Sequence, residues 1–203
     1  MTTNQFNRLS KAKKAVLVAE DALLQIKAKK YFIKKGNYIH NLQIIGTYKK
    51  TDEINEKFDN IKKCECCALG SMLLSCTHLG NNLKIRDVIT KSPFTERLNS
   101  GVINDTNSKI NSLFSSIFDS KQLLLIENAF EGYGSFNNVP INEIKLFYKE
   151  DFEYFEHTRY SSAELTFEET LQCTKFYRKY KNDENRMKAI CNNIIKNNGK
   201  FII

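Results

Sequence analysis

Apolar residues recur at three- to four-residue spacing over residues 10–30, at Ala12, Val16, Ala19, Leu23 and Ile26. That is the period of an amphipathic helix. Ser10 is placed to cap its start, and Lys27, Lys29 and Lys30 fall in its last turn, where cations suit the helix dipole. Tyr31-Phe32-Ile33 breaks the period. After Gly36, residues 38–45 read as a loop or a short extended segment. Thr51 is placed to cap a second helix, with Ile54, Phe58 and Ile61 on one side, which meets the stretch Cys64 to Cys76. That stretch is apolar nearly all round. Ala68, Gly70, Ser71 and Ser75 give it the small surface of a central, close-packed helix, and Gly80-Asn81-Asn82 ends it.

The pattern loosens over residues 83–108, where Pro93, Gly101 and a polar run mark a loop. Ile110, Leu113, Phe114 and Ile117 predict a short helix. Ser120 is placed to cap another, carrying Leu123, Ile126 and Phe130 and stopped by Gly132. The stretch from Gly132 to Pro140 reads as a loop, and residues 143–160 are acidic and aromatic. Thr166 and Glu169 have capping-box spacing, opening a helix to about Tyr180. Asn182 or Asp183 opens the last helix, whose stripe is Met187, Ile190, Cys191, Ile194 and Ile195. Asn198-Gly199 terminates it, and Phe201-Ile202-Ile203 is expected to fold back on the core. The whole predicts a mostly α protein: one compact helical domain over residues 1–203, with long polar loops and at most a minor extended element.

Composition narrows the class. The chain has 203 residues, 41% of them apolar and 27% charged, values that exclude wholesale disorder. No apolar run approaches the roughly 18 residues of a membrane span, and the polar N-terminus lacks an apolar signal segment, so a soluble intracellular protein is expected. Charge is segregated. Residues 1–50 hold eleven Lys/Arg against Glu20 and Asp21, net +9; residues 51–170 are net −7; residues 171–203 hold eight Lys/Arg against two acids, net +6. The two basic ends either form a positive face for a phosphate-bearing partner or pack against the acidic middle.

The candidate chemistry is sparse. Cys64, Cys66, Cys67, Cys76 and His78 cluster, but a helix would separate Cys67 from Cys76 by about 13 Å along its axis, poor spacing for one zinc. Small buried packing residues are the better reading. His157 beside Glu153 and Glu156 has no recognisable nucleophile partner. The acidic run 150–156 reads as a solvated face, and Gly132-Tyr133-Gly134 as a turn. Walker, kinase, nucleophile-elbow and His-Glu-x-x-His signatures are absent. The chain is therefore expected not to be an enzyme, and no cofactor or metal is implied. The expected ligand-binding residues are Lys11, Lys14, Lys27, Lys30, Tyr31, Phe32, Lys34 and Lys35, since cations meet phosphates and rings stack on bases.

Four segments together resemble a known group: Val18 to Ile26, Cys66-Cys67-Ala68-Leu69-Gly70-Ser71-Met72, Gln122 to Glu131, and Arg186 to Phe201. They are similar to a group of uncharacterised tailed-bacteriophage proteins with a central Cys-Ala-Leu-Gly-type helix and a C-terminal Asn-Gly-x-Phe end. This chain departs from them in its extra cysteines and Asn-rich insertions. The resemblance implies phage origin and action in the host bacterial cytoplasm. With the charge layout, it leads to an expected binding protein for an anionic partner: a nucleotide signal, a nucleic acid or an acidic host protein, in host takeover or anti-defence. The alternatives are a structural virion or assembly component, possible as a homo-oligomer, and a metal-dependent enzyme. No membrane partner is expected.

Overall fold

Helix caps set most of the element boundaries. The computed structural model describes residues 2–36, 38–44, 61–80, 108–132, 140–143 and 165–203. Thr2 opens α1 (Thr3–Asn7) with a capping box closed by Gln5, and Phe6 seats the helix in the core. This short helix lies in the polar N-terminus, where no element was predicted. Ser10 caps α2 (Lys11–Lys27) by accepting the Lys13 N–H. The buried stripe of α2 is Ala15, Val18, Ala19, Ala22 and Ile26, so the predicted face is rotated by about one residue and Ala12 is exposed.

A small sheet follows. Strands β1 (Tyr31–Ile33), β2 (Ile39–Ile44) and β3 (Ile61–Cys66) lie in the order β1-β3-β2, with β1 parallel and β2 antiparallel to β3. The expected helical side at Ile61, running on to Cys64 and Cys66, is thus corrected to a central strand. Cys64 and Cys66 are buried with half-exposed Glu65 between them, the two-residue alternation of a strand. Backbone bonds from Cys64 N–H to the Lys30 carbonyl (2.8 Å) and from Lys34 N–H to the Cys66 carbonyl (3.0 Å) hold it.

Helix α3 (Ala68–Gly80) is the predicted central helix and is buried continuously from Ala68 to Thr77. A Cβ at position 70 would overlap the Tyr38 carbonyl oxygen, so Gly70 lets the backbone entering β2 lie directly on the helix. Helix α4 (Ser108–Ser115) leads through buried Ile117 and Phe118 to α5 (Ser120–Glu131). Asp119, not Ser120, caps α5: its carboxylate accepts the Gln122 N–H at 2.7 Å, and its negative charge also suits the helix N-terminus.

Helix α6 (Phe167–Lys179) opens with the predicted Thr166–Glu169 capping box, and α7 (Asp183–Lys196) with Asn182 as its cap. Helix α7 ends in a Schellman turn. Asn198 sits at φ +51°, Gly199 N–H reaches the Ile194 carbonyl at 2.8 Å, and Asn198 N–H reaches that of Ile195 at 3.2 Å. The tail then folds back as expected. Phe201 is buried, and Gln122 bonds both its N–H (2.6 Å) and its carbonyl (3.2 Å).

Helix α2 packs along α7 and against α3, both α2 and α3 meet the sheet, and α5 carries α6. Gly199 abuts the backbone of Ala12, while Lys35, beyond the other end of α2, bonds Asp183. Helices α2 and α7 therefore run antiparallel. Val18, Ala22, Met72, Leu73, Ile126, Phe130, Ile190 and Ile194 belong to one hydrophobic cluster. The fold is mostly α with a minor extended element. Among the described residues, no helix is long and apolar enough to cross a membrane. The predicted cap at Thr51 with Ile54 and Phe58, the loops at 83–107 and 133–139, the acidic-aromatic run 144–160 and His157 lie outside the described residues.

Candidate anion-binding groove

The eight predicted ligand-binding residues fall into two groups. Lys11 and Lys14 stand at the start of α2; Lys27 stands at its other end, with Lys30, Lys34 and Lys35 beyond it. Sixteen residues of helix put about 24 Å between Lys11 and Lys27, too far to grip one small ligand. Tyr31 and Phe32, expected as a joint stacking platform, point to opposite faces because they are neighbours on a strand. Tyr31 is buried, and burial with the nearby Asp21 charge pushes its hydroxyl well above the usual tyrosine range. It is corrected to a core residue. Phe32 remains exposed, with the Lys63 ammonium 4.1 Å from its ring centroid. Lys34 lies 3.7 Å from Glu65. Lys35 is held by its backbone N–H to Asp183 (2.9 Å) and its ammonium to the Tyr177 hydroxyl (3.2 Å).

The cysteines are packing groups. All six are free and buried. Burial pushes the thiols of Cys66, Cys67, Cys76 and Cys191 up, and that of Cys173 to about 12. None of these five is a ready thiolate at neutral pH. Among the described residues, no group of three or more His, Cys, Asp or Glu could hold a metal ion. His78 instead bridges helices: its Nδ1 lies 2.9 Å from Asp21 Oδ1, which also accepts from Gln25 Nε2 at 3.1 Å.

A second polar centre lies where the start of α7 meets α5 and the turn after β1. Arg186 is fully buried there. Its guanidinium donates to Asp183 Oδ1 (2.8 Å) and to the carbonyls of Phe130 (3.0 Å) and Tyr180 (2.5 Å), and it lies 4.0 Å from the Tyr177 ring centroid. Glu131 accepts the Gly36 N–H at 3.0 Å. Burial raises its carboxyl, while the Gly36 bond and the Lys35 charge work against that. One turn back, burial and the Glu131 charge raise Glu127 to about 7. These groups spend their charge on one another and brace the fold.

The opposite situation holds between α6 and α7. The two helices line an open groove of about 810 Å³, and among its described lining residues the charged side chains are all lysines: Lys175 and Lys179 on one wall, Lys188 and Lys196 on the other. On α6 the lining residues Gln172, Lys175, Phe176 and Lys179 follow helical spacing; on α7 Asn185, Lys188, Ala189, Asn192, Asn193 and Lys196 do the same. Each wall is one continuous helix face. Phe176 and Tyr180 stand between the lysines. Phe176 packs edge-on against buried Phe201 with centroids 5.5 Å apart, and Tyr180 lies 5.0 Å from Phe176. The folded-back tail adds Ile202 and Ile203 to the lining, and Asn193 fixes Ile202 through both its N–H (2.9 Å) and its carbonyl (2.6 Å).

Sequence reasoning noted the +6 charge of residues 171–203 but not this groove. The available signal was the cationic and amide spacing Lys188, Asn192, Lys196 on the face opposite the Met187–Ile190–Ile194 stripe. No protein-family model matches this chain, and no curated protein or solved structure does.

Proposed function

We propose that the protein is a non-enzymatic binding protein for an anionic partner. The observation that carries this reading is the α6–α7 groove, in which four lysines face a common space with no Asp or Glu side chain among the described lining residues. Like charges gathered in one concavity repel one another and contribute nothing to folding. An anion that enters relieves the repulsion and gains the focused potential of the cleft. Lys11 and Lys27 stand at opposite ends of α2; the four lysines of the groove are concentrated.

The phage resemblance extends the reading to a protein made in an infected bacterium and acting in the host cytoplasm, where a binding surface without catalytic machinery suits host takeover or anti-defence. The test is retention on immobilised polyanion at low salt, with native mass spectrometry of protein purified from infected cells to reveal what it carries. Retention lost steeply with rising salt, and lost in a Lys179→Glu/Lys196→Glu variant that still folds, is the expected result. Indifference to every polyanion at low salt refutes it. A ring or higher oligomer formed without ligand turns the assignment to a virion or assembly component.

A further inference from the structure

We infer that the occupant of the α6–α7 groove is a single strand of nucleic acid, with phosphates on the lysine walls and bases against Phe176 and Tyr180. This rests on the anion-binding reading above and narrows it to one class of partner.

Three features of the groove select that class. The first is length. Lys188 and Lys196 are eight residues apart on α7, about 12 Å along the helix axis, and Lys175 and Lys179 stand one turn apart on the facing wall. A free phosphate or a mononucleotide headgroup occupies one point and is held by donors that converge on it. Here the donors are strung along two walls, an arrangement that matches charges repeated along a chain. The second is shape. Duplex DNA is read by elements that protrude into its grooves, whereas these lysines line a concavity between two helices. A strand with its bases unpaired can lie within it. The third is the pair of aromatic rings. An acidic peptide would satisfy the lysines but has no planar face to offer Phe176 or Tyr180, while every base has one.

The rings are also prepared for the task. Phe176 is held by its edge contact with Phe201 and the Tyr180 ring by its contact with Phe176, while the Arg186 bond to the Tyr180 carbonyl fixes the backbone that carries that ring. Half-buried rings held by packing lose little freedom when a base stacks on them, which favours binding. Lys179 lies 5.5 Å from the Tyr180 ring centroid, so a phosphate contact and a stacking contact can be made by neighbouring nucleotides. Asn185 and Asn192 are exposed on the α7 wall and can bond base edges without demanding one sequence.

The experiment is fluorescence anisotropy of the full chain with a labelled oligo-dT 12-mer and an RNA 12-mer, against a duplex of equal length, ATP and a poly-Glu peptide. The expected result is single-strand binding at least tenfold tighter than any of the other three. Four phosphate contacts give a log–log salt slope near −3, at about 0.7 per contact on a single strand. Lys179→Glu/Lys196→Glu should weaken binding thirtyfold or more and roughly halve the slope, with Lys179→Arg/Lys196→Arg restoring most of both. Tyr180→Ala keeps the backbone carbonyl that Arg186 needs. It should weaken binding about tenfold with the salt slope unchanged, a separation that only a stacking role produces. Circular-dichroism melting must show each variant folded. Should Tyr180→Ala prove unfolded, Tyr180→Phe, which keeps the ring face, should bind like the wild type. Duplex binding as tight as single-strand binding overturns the inference. Binding of ATP or poly-Glu without the oligonucleotides also overturns it, yet leaves the anion-binding function standing. Binding of none of the probes ends both.

Discussion

Helix α7 carries basic side chains on two faces, and they live in opposite worlds. Arg186 on the inner face is buried and meets an acid, two carbonyls and an aromatic ring. Lys188 and Lys196 on the outer face line an open groove with two more lysines. Lys188 does pair with Glu184 one turn earlier, but both side chains are about half exposed and such a pair is worth little. The contrast separates charge that builds the fold from charge left over for a partner. A buried cation left without its partners would be ruinous, so the chain surrounds it. An exposed one costs almost nothing, so four can be gathered wherever binding requires them.

The largest expected effect comes from breaking the inner arrangement. Arg186→Met keeps much of the length and apolar bulk but removes the charge and every donor. It leaves two carbonyls without their donor and Asp183 with only the Lys35 N–H, at a cost of about 3–5 kcal/mol, a large share of a domain's stability. Urea unfolding of the variant measures this. A cost below about 1 kcal/mol would mean that the inner cation is as dispensable as the outer ones, and the contrast between the faces would collapse.

Glu127 makes the next test, through pH. Its carboxyl is raised from 4.5 to about 7 by burial and by Glu131. The other groups of the junction are Glu131, Lys35, Asp183 and Arg186, with Cys67 just before α3 and Tyr38 just before β2 close to Glu127. Because the folded state favours the protonated form, the associated stability is complete below the unfolded value of 4.5. It is lost as pH rises through about 7. At about 1.4 kcal/mol per unit of pKa, the loss by pH 8 is about 3 kcal/mol. Glu127→Gln should be more stable than the wild type at pH 8 and should flatten the profile between pH 5 and 8. A wild-type urea midpoint that rises across that window would contradict the placement of Glu127.

The two faces also differ in how far they can be read from residue order. Short-range signals carried over well. The caps at Ser10, Thr166 and Asn182, the Met187–Ile190–Ile194 stripe and the Asn198-Gly199 stop all rest on contacts within a few residues, and all stand in the structure. Strand β3 was hidden because Ile61–Cys66 is too short for period two to declare itself and runs straight into an apolar helix. Helix α1 is a single turn with one apolar anchor, Phe6, and only its Thr2–Gln5 capping box advertises it. The Arg186 junction draws on the turn after β1, α5, α6 and α7, and the groove needs two walls brought together by α5 and the C-terminal tail. Neither has a local signature, because each is a product of tertiary packing. The basic N-terminal segment was the more conspicuous in sequence, yet folding divides it between the two ends of α2.

The smallest effect tests whether that segment takes any part. Lys11 begins α2, and the first turn of α2 holds no acidic residue. A cation there opposes the partial positive charge of the helix N-terminus. Lys11→Glu should therefore stabilise the protein by about 0.3–1 kcal/mol at low salt, less as salt rises. A thermal melt at two ionic strengths resolves it. The same variant sharpens the comparison for binding. Lys11 lies at the end of α2 where Gly199 rests on Ala12, just past the C-terminus of α7 and thus beyond the Lys196 end of the groove. If the groove alone receives the ligand, removing Lys11 changes only the long-range field, and oligonucleotide affinity should stay within about twofold with nearly the same salt slope. A loss as large as that of Lys196→Glu, with a salt slope shallower by about 0.7, would place another phosphate at Lys11. The strand would then leave the groove over the Schellman turn and run onto α2. That outcome would join one of the two basic ends of the chain to the surface between α6 and α7.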